Sequence, residues 1–403
     1  MTTLSRLPLI ELSFLAKTST ILFFTIFISL SPNYISIIIP ELKKIIITAA
    51  VLFIPLFIFR TIKITNNNSS IILLFFIDII LITGIINFIR LDNIEGLIFS
   101  LSFSLKFLVI YLFIMSFNDK HMLKVLKILT SFIVAICIYS IIGETLYVLK
   151  IISVTGSLEF QSYIYNILSF WGVYTVSFDF NGTELIRNQF FFQEPGFFAF
   201  YIFIAMIITS FIRETYNKKI FLAIYYIYFI TVLSTMSVTG IILSTLLIMN
   251  IFKNLIFRTI TFYLSVIFTA YIILSNNPYI NKTSSLAERF HGIRNGLSIF
   301  PKDITTFFLG AGYNSEPLFS FDGKFNNFIF EVVLYSGIIN LLFFLLFCLY
   351  VYKNCYGARF KYFLALIFCA TTPLFWSPIM IILNVILLRY HTLKSIKMVE
   401  IAK

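Results

Sequence analysis

Apolar segments long enough to cross a lipid bilayer recur along the whole chain, and they constrain its fold more than any other feature. A transmembrane helix needs about 18–20 predominantly apolar residues. Length and periodicity indicate about twelve such segments, which cover residues 20–39, 44–62, 71–89, 96–117, 128–149, 191–212, 220–236, 238–252, 257–275, 327–350, 361–374 and 377–390. The last two are short enough to form one bent element around Pro373 and Pro378.

Composition agrees with a membrane protein. Hydrophobic residues make up 59% of the chain and charged residues 12%, whereas soluble domains carry about 25% charged residues. The sequence therefore predicts an all-α, polytopic integral membrane protein with about twelve transmembrane helices. Residues 1–403 are expected to form a single membrane domain. Two larger, partly helical loops, at 150–190 and 276–326, are expected on its outer face.

The distribution of Lys and Arg predicts the orientation of these helices, because cytoplasmic loops are enriched in both residues. The basic residues that alternate correctly with the helices are Arg60, Lys63, Lys120, Lys124, Lys127, Arg213, Lys218, Lys219, Lys253, Arg258, Lys353, Arg359, Lys361, Arg389, Lys394 and Lys397. Both termini then lie in the cytoplasm, and the acid-balanced segment 90–95 lies outside. Lys43 and Lys44 are the exception to the rule.

The basic residues of the predicted cytoplasmic loops account for most of the net charge of +12. The basic residues are scattered over many short loops and form no stripe interleaved with aromatic residues, which argues against nucleic acid as a partner. The four cysteines show no paired spacing and are expected to be packing residues: they are Cys137, Cys348, Cys355 and Cys369.

The two long outer segments are rich in aromatic residues that alternate with carboxylates and amides. Loops longer than about 12–15 residues are usually functional or disordered, and this composition is not typical of disorder. Aromatic faces beside polar groups suit sugar rings, which stack through their C–H faces and hydrogen-bond through their hydroxyls. The alternative is an aromatic belt at the membrane interface.

Arg187 to Gly196, with the sequence RNQFFFQEPG, place a cation and a helix-breaking Glu194-Pro195-Gly196 at the start of a long apolar helix. The second outer segment has arginines of its own, Arg289 and Arg294, with His291 between them. A Gly-Ala-Gly follows, and it predicts a tight turn where the backbone approaches something closely. The next helix begins near Asn326 and Asn327 and contains Glu331 and Gly337.

These stretches resemble three landmarks of the bacterial O-antigen polymerases (Wzy type) and the related O-antigen ligases. The first landmark is similar to Arg187 followed by Glu194-Pro195-Gly196. The second, an Arg before a short amphipathic helix and a Gly-x-Gly, is similar to Arg289 followed by Gly310-Ala311-Gly312. In the third, Asn327 and Gly337 match the spacing of its Asn and Gly, whereas Asn326 replaces the preceding His.

The resemblance implies a glycosyltransferase of the bacterial cytoplasmic (inner) membrane whose donor is a glycan carried on undecaprenyl diphosphate. Membrane lipid, a chain-length regulator and a flippase are the further partners that it implies. The His is thought to help deprotonate the acceptor in the ligases, and an amide is no base near neutral pH. Asn326 therefore favours a polymerase over a ligase and leaves the general base unassigned.

Expulsion of a lipid diphosphate builds negative charge on the leaving group. Neither outer segment contains Asp-x-Asp, and no His/Cys cluster has metal-ligand spacing, so no metal or other cofactor is expected. Arginine is the alternative, because its planar guanidinium pairs bidentately with phosphate oxygens. Arg187 and Arg289 are the predicted diphosphate clamp and Arg294 a third contributor. Each could instead be a solvated loop residue or a lipid anchor.

Candidates for the general base are Glu194, His291, Asp322 and Glu331. The dipole of the helix that follows Glu194 stabilises its carboxylate, which suits a partner of Arg187 or a cap better than a base. His291 is a lone His, for which a structural role is the simpler interpretation. The predicted substrate-binding positions are Arg294, Gly310, Gly312, Tyr313, Asn326 and Asn327.

Asp78, Lys106 and Glu144 interrupt apolar helices, where ionisable groups are costly. An Asp78–Lys106 pair that braces two helices is preferred to a proton relay.

An O-antigen ligase is the nearest alternative function, and a polysaccharide flippase or transporter is the alternative from another class. A transporter should concentrate polar groups near the bilayer midplane, whereas the polar and aromatic content here concentrates in the outer segments.

Overall fold

A computed structural model describes residues 68–92, 94–116, 119–160, 163–168, 174–180, 183–190, 192, 194–274, 304–310, 312, 328–355, 357–371, 374 and 377–401. Most of these residues are helical. The α-helices are α1 (Asn68–Leu91), α2 (Ile94–Ser116), α3 (Asp119–Val148), α4 (Pro195–Phe211), α5 (Lys218–Ser234), α6 (Val238–Ile251), α7 (Leu255–Leu274), α8 (Ile304–Leu309), α9 (Phe328–Asn354), α10 (Arg359–Thr371) and α11 (Pro378–Ile401).

The predicted apolar segments from 71–89 onward are all helices, and most bounds lie within a few residues of the expected ones. The exceptions are α3, which begins nine residues before the predicted segment 128–149, and α11, which ends eleven residues after the predicted segment 377–390. The segments at 20–39 and 44–62 fall outside the described residues. The last two segments form separate helices, α10 and α11. Within the described part of the chain, two helical stretches are long and apolar enough to cross a membrane by length and composition, Met122–Val148 and Val332–Asn354.

Helix α4 forms the centre of the bundle. Phe198, Ala199, Phe200, Ile202 and Phe203 are all almost fully buried, although they point to different sides of the helix. A helix that is apolar all round lies in a protein core or spans a membrane. Accordingly, α4 packs against α3, α5, α6, α10 and α11. The segment that begins at Arg187 therefore leads directly into the central helix.

The first outer segment contains a sheet, which corrects the all-α prediction and the expectation that the loop at 150–190 is partly helical. Its strands are β1 (Val154–Phe160), β2 (Tyr163–Leu168), β3 (Tyr174–Phe180) and β4 (Thr183–Asn188). They pair antiparallel with their neighbours in chain order, so they form a meander.

The physical reason for the sheet is visible in the sequence. The strands are rich in β-branched and aromatic residues, which favour extended backbone. Asn181-Gly182 separates β3 from β4, and Phe180 pairs with Thr183 across it. An Asn-Gly dipeptide between two such strands is a strong hairpin signal. The sheet ends at Asn188, so the hairpin delivers Arg187 to the end of the helical bundle.

The second outer segment is described only at α8, Gly310 and Gly312. Helix α8 packs against α9 and α9 packs against α1. Helix α9 is interrupted at Gly337, where φ is 79° and ψ is 172°. This break gives α9 two parts, and the docking of α8 occurs at the break.

Candidate functional site

The eleven predicted site residues divide into three groups. Arg187, Glu194, Gly310 and Gly312 are described, and Glu331 is placed in the first turn of α9. The others lie outside the described residues, so their predicted roles stay predictions: they are Arg289, His291, Arg294, Tyr313, Asn326 and Asn327.

Arg187 lies near the end of β4, paired with Val176 of β3. It is partly buried, and its Nε donates a hydrogen bond to the Thr235 carbonyl oxygen at 3.2 Å. Thr235 is the residue that ends α5. Because this bond ties the side chain to backbone, it limits the orientations that the guanidinium plane can adopt.

The next residue, Asn188, joins three elements. It is fully buried, and its Nδ2 donates to Ser140 Oγ of α3 at 3.2 Å and to Ser234 Oγ of α5 at 3.1 Å. Its Oδ1 accepts a hydrogen bond from the Phe190 amide at 3.2 Å. These bonds hold the end of β4 against the ends of α3 and α5.

Glu144 of α3 lies one turn after Ser140 and so on the same side of the helix, which is the side that Asn188 contacts through Ser140. Its side chain is partly buried. No local pattern predicted this position, because Glu144 and Asn188 are 44 positions apart along the chain. We refer to Ser140, Glu144, Arg187, Asn188, Ser234 and Thr235 as the Arg187 junction.

Two unfavourable features border the Arg187 junction. Gln189 is fully buried, and neither its Oε1 nor its Nε2 has a hydrogen-bond partner among the described residues. Phe190 and Met236 adopt left-handed backbone, with φ of 49° and 50°. Non-glycine residues in this region cost about 1–3 kcal/mol each, and they cluster at functional sites. The two strained residues flank the Arg187–Thr235 contact.

Aromatic stacking connects this junction to the central helix. The Phe190 ring stacks on Phe198 with centroids 5.8 Å apart, and the Phe192 ring stacks on Phe198 at 5.3 Å. Phe192 also contacts Tyr201 at 4.5 Å. Phe190 and Phe192 therefore anchor the segment to the first turns of α4.

Glu194 is the residue before α4, with Pro195 at the first helical position. Its carbonyl oxygen accepts hydrogen bonds from the Phe197 and Phe198 amides at 3.0 and 3.3 Å. Its side chain makes no capping hydrogen bond. The helix start is thus as predicted, whereas a capping role for the carboxylate is not supported.

At Gly310 and Gly312 the structure confirms the close backbone approach that the Gly-Ala-Gly predicted. Both have left-handed φ, 80° and 79°, and the Gly312 amide donates to the Tyr335 carbonyl oxygen at 3.0 Å. A Cβ on Gly310 would overlap the Tyr335 carbonyl, and a Cβ on Gly337 would overlap the Phe308 carbonyl. The end of α8 with Gly310 and Gly312 therefore meets the Gly337 part of α9 backbone to backbone.

Helix α1 contributes two polar residues to this contact. Asn87 Nδ2 donates to the Leu309 carbonyl oxygen at 2.8 Å, and Arg90 Nη2 donates to the Gly310 carbonyl oxygen. Asn87 Oδ1 and the Nε and Nη1 of Arg90 are buried without hydrogen-bond partners in the described part of the chain. We refer to Asn87, Arg90, Gly310, Gly312 and Gly337 as the glycine junction.

Sequence reasoning missed the partners at both junctions. The sequence predicted only an outer location for Arg90, and it predicted no role for Asn87 or Asn188, because a single amide carries no motif.

The structure places Asp78 at an exposed position on α1 and Lys106 at a partly buried position on α2.

The described residues contain no group of three or more His, Cys, Asp or Glu side chains placed to hold a metal ion. The four cysteines are buried free thiols, as expected of packing residues. Between α9 and α10, burial raises the pKa of Cys355 to about 11. Its thiol therefore stays protonated near neutral pH and is a poor nucleophile.

The chain was also compared with known proteins. No protein-family model, curated protein or solved structure matches it.

Proposed function

We propose that the chain is an integral-membrane glycosyltransferase that polymerises undecaprenyl-diphosphate-linked oligosaccharide repeat units into O-antigen or a related surface polysaccharide. The reaction takes place on the outer face of the bacterial inner membrane, and it needs no metal. About twelve helices span the membrane, with both termini in the cytoplasm. The observation that carries the proposal is the guanidinium of Arg187, tied to Thr235 where the sheet meets the central bundle.

Two sets of contacts support the orientation. Lys361 Nζ, at the start of α10, donates to Ser210 Oγ near the end of α4 at 2.8 Å. Arg389 Nη1 of α11 donates to the Ile114 carbonyl oxygen near the end of α2 at 2.8 Å. Lys361, Ser210 and Ile114 lie near helix ends that the distribution of basic residues assigns to the cytoplasm, and Arg389 ends the apolar part of α11, Pro378–Arg389, on the same assigned side. Helix ends assigned to one membrane face are thus in contact.

Exposed apolar side chains support a lipid environment. Ile89 of α1, Ile267 of α7 and Leu349 of α9 are 77%, 60% and 61% exposed. A soluble protein rarely exposes apolar residues on this scale, because each exposed patch promotes association. Contact with acyl chains accounts for these surfaces.

Arg187 stabilises the leaving group in the proposed reaction. An acceptor hydroxyl oxygen forms a bond to the anomeric carbon, the bond from that carbon to the diphosphate oxygen breaks, and the electron pair leaves with the lipid diphosphate. A guanidinium of fixed orientation binds two phosphate oxygens and opposes the charge that develops on them. Arg289 and Arg294 complete the clamp in this proposal.

A flippase is the second candidate, and one observation favours it. Helix α9 is broken at Gly337, and transporters often bind their cargo at interrupted helices. Ligation of finished polysaccharide is the third candidate, and Asn326 in place of the His argues against it.

Deletion of the gene in its host, followed by electrophoresis of surface polysaccharide, distinguishes these functions. A polymerase deletion leaves core plus one repeat unit and removes the ladder. Loss of every capped species, including the single repeat, would contradict polymerisation and favour the ligase or the flippase.

Arg187→Lys tests the bidentate clamp in the complemented deletion strain. Lysine keeps the positive charge but is a point charge without the planar pair of donors. We expect polymer yield to fall by about 10²-fold or more, as when one fixed oxyanion donor is removed. Arg213→Lys, at an exposed site on the predicted cytoplasmic side, is the matched control and should restore the ladder. Full activity of the Arg187→Lys variant would exclude the clamp.

A further inference from the structure

We propose that Asn87 and Arg90 of α1 bind a sugar hydroxyl of the lipid-linked glycan. This inference rests on the proposed function, from which it takes the glycan as the ligand, and it adds a sugar contact to the phosphate contact of Arg187. Neither residue is among the site residues that the sequence predicted. The assignment comes from the hydrogen bonds that fix both side chains at the glycine junction.

Consecutive carbonyl groups at the end of α8 hold the two side chains. Asn87 Nδ2 donates to the Leu309 carbonyl oxygen at 2.8 Å, and Arg90 Nη2 donates to the Gly310 carbonyl oxygen. Because the two residues are three positions apart in α1, they lie on the same face of the helix. Each bond uses only part of its side chain, since an amide has two donor hydrogens and an acceptor oxygen, and a guanidinium has five donor hydrogens.

The remaining polar atoms of the pair are available to a ligand. Asn87 Oδ1 and the Nε and Nη1 of Arg90 are buried, and they have no hydrogen-bond partner in the part of the chain that the structure describes. Asn87 is only 4% exposed, so its carbonyl oxygen lies away from bulk water. A buried polar group without a hydrogen bond is destabilising and indicates that a partner binds there.

The polar residues one turn earlier on α1 differ from this pair. Thr83 Oγ1 lies 3.4 Å from Asn340 Oδ1 of α9, and Asn340 Nδ2 donates to the Ser336 carbonyl oxygen at 3.0 Å. Among the described residues of α1, the unpartnered atoms therefore belong to Asn87 and Arg90 alone. This pair lies near the end of α1 that faces outward in the proposed topology. Arg90 is also partly exposed, which gives a ligand access.

An unpartnered acceptor beside unpartnered donors matches a hydroxyl group. A hydroxyl donates its hydrogen to Asn87 Oδ1 and accepts hydrogen bonds from Arg90 through its lone pairs. A phosphate oxygen only accepts, so it would leave Asn87 Oδ1 without a partner and would face the carbonyl oxygens of Leu309 and Gly310. The chemistry of this pair therefore favours a neutral sugar over a diphosphate.

Equilibrium binding of modified glycans tests the contact. The full-length chain in lipid nanodiscs is titrated with the undecaprenyl-diphosphate-linked repeat unit and with analogues that each lack one sugar hydroxyl. For the wild type, we expect one analogue to bind about 10-fold or more weakly, because a hydrogen bond to a charged group is lost. In Arg90→Met, which has no donor at this position, the affinities of that analogue and of the complete glycan should become nearly equal.

Arg258→Met is the matched control. Arg258 also has a buried Nε without a partner among the described residues, but it lies near the start of α7 on the predicted cytoplasmic side. This variant should keep the wild-type difference between the analogue and the complete glycan. If Arg90→Met does not accumulate, Asn87→Leu removes the acceptor of the pair and should abolish the same difference.

Three results would overturn the proposal. The first is a wild type that binds every analogue as tightly as the complete glycan. The second is an Arg90→Met or Asn87→Leu variant that keeps the wild-type difference for the affected analogue. The third is an Arg90→Met variant in which inorganic pyrophosphate competes less well while every analogue behaves as in the wild type, since this would assign Arg90 to the phosphate.

The proposed function can fail separately, because binding is measured without turnover. A wild type that shows the expected binding differences but forms no glycosidic bond would exclude polymerisation and keep the sugar contact. A wild type that polymerises, with an Arg90→Met variant that keeps the wild-type difference, would exclude only the sugar contact. A wild type that binds no lipid-linked glycan would exclude both.

Discussion

The Arg187 junction and the glycine junction both join an outer segment to the helical bundle, but side-chain contacts dominate the first and backbone contacts dominate the second. Side chains make the first: an arginine, an amide and hydroxyls meet there. Backbone makes the second, where two glycine-containing segments touch and leave no room for a Cβ. Each junction has one described arginine, and both arginines donate to a backbone carbonyl oxygen, Arg187 to that of Thr235 and Arg90 to that of Gly310.

This difference indicates that the Arg187 junction has a chemical role and the backbone contacts of the glycine junction a structural one. Side chains that carry charge and hydrogen-bond donors can bind phosphate and move protons, and they tolerate local strain such as that at Phe190 and Met236. Close backbone contacts mainly fix one segment against another. We therefore expect substitutions of the glycines at the glycine junction to lower the free energy of unfolding first, and substitutions of Arg187 to lower turnover first.

Gly337→Ala should have the largest effect on stability. The residue has φ of 79° and ψ of 172°, and a Cβ would overlap the Phe308 carbonyl. We expect the free energy of unfolding to fall by about 3 kcal/mol or more, from backbone strain and displacement of α8. Denaturant unfolding of the purified protein in detergent measures this loss.

Gly196→Ala is the control for that experiment. Nothing lies within 4 Å of the position that its Cβ would occupy, and alanine favours helix over glycine by about 1 kcal/mol. It should be neutral or slightly stabilising. Equal stabilities of the Gly337→Ala and Gly196→Ala variants would refute the role given to the glycine junction.

Asn188→Ala should have an intermediate effect. It removes a fully buried side chain and leaves Ser140, Ser234 and the Phe190 amide without this partner. We expect a loss of about 2 kcal/mol in the free energy of unfolding, together with a fall in turnover because the Arg187 junction loosens. Asn354→Ala, at an exposed site that ends α9, should change stability by less than about 0.5 kcal/mol.

Gln189→Met should have the smallest effect on stability and the opposite sign. Neither polar atom of its buried amide has a partner in the described residues. Replacement by an apolar side chain of similar length should raise the free energy of unfolding by up to about 1 kcal/mol. Denaturant unfolding of the purified variant measures this gain, and a variant no more stable than the wild type would show that the unpartnered amide carries no cost.

The long helices were predictable from sequence because each is a long apolar run. The close backbone approach at Gly310 and Gly312 was predictable because only glycine leaves room for it. The sheet was missed because the aromatic residues of the first outer segment were interpreted by chemistry and not tested for strand pairing, although Asn181-Gly182 marks a hairpin. The partners could not be predicted. Asn188 meets Ser140 and Ser234 from 48 and 46 positions away, and no local pattern encodes such contacts.

Reconstitution tests the central claim most directly. The purified full-length chain is placed in vesicles with undecaprenyl-diphosphate-linked repeat units and no added metal, and glycan length and released undecaprenyl diphosphate are measured together. The wild type should form glycans of two or more repeats with a matching release of lipid diphosphate, and Arg187→Lys should form almost none. Movement of the donor between leaflets with no new glycosidic bond would contradict the account and identify a flippase.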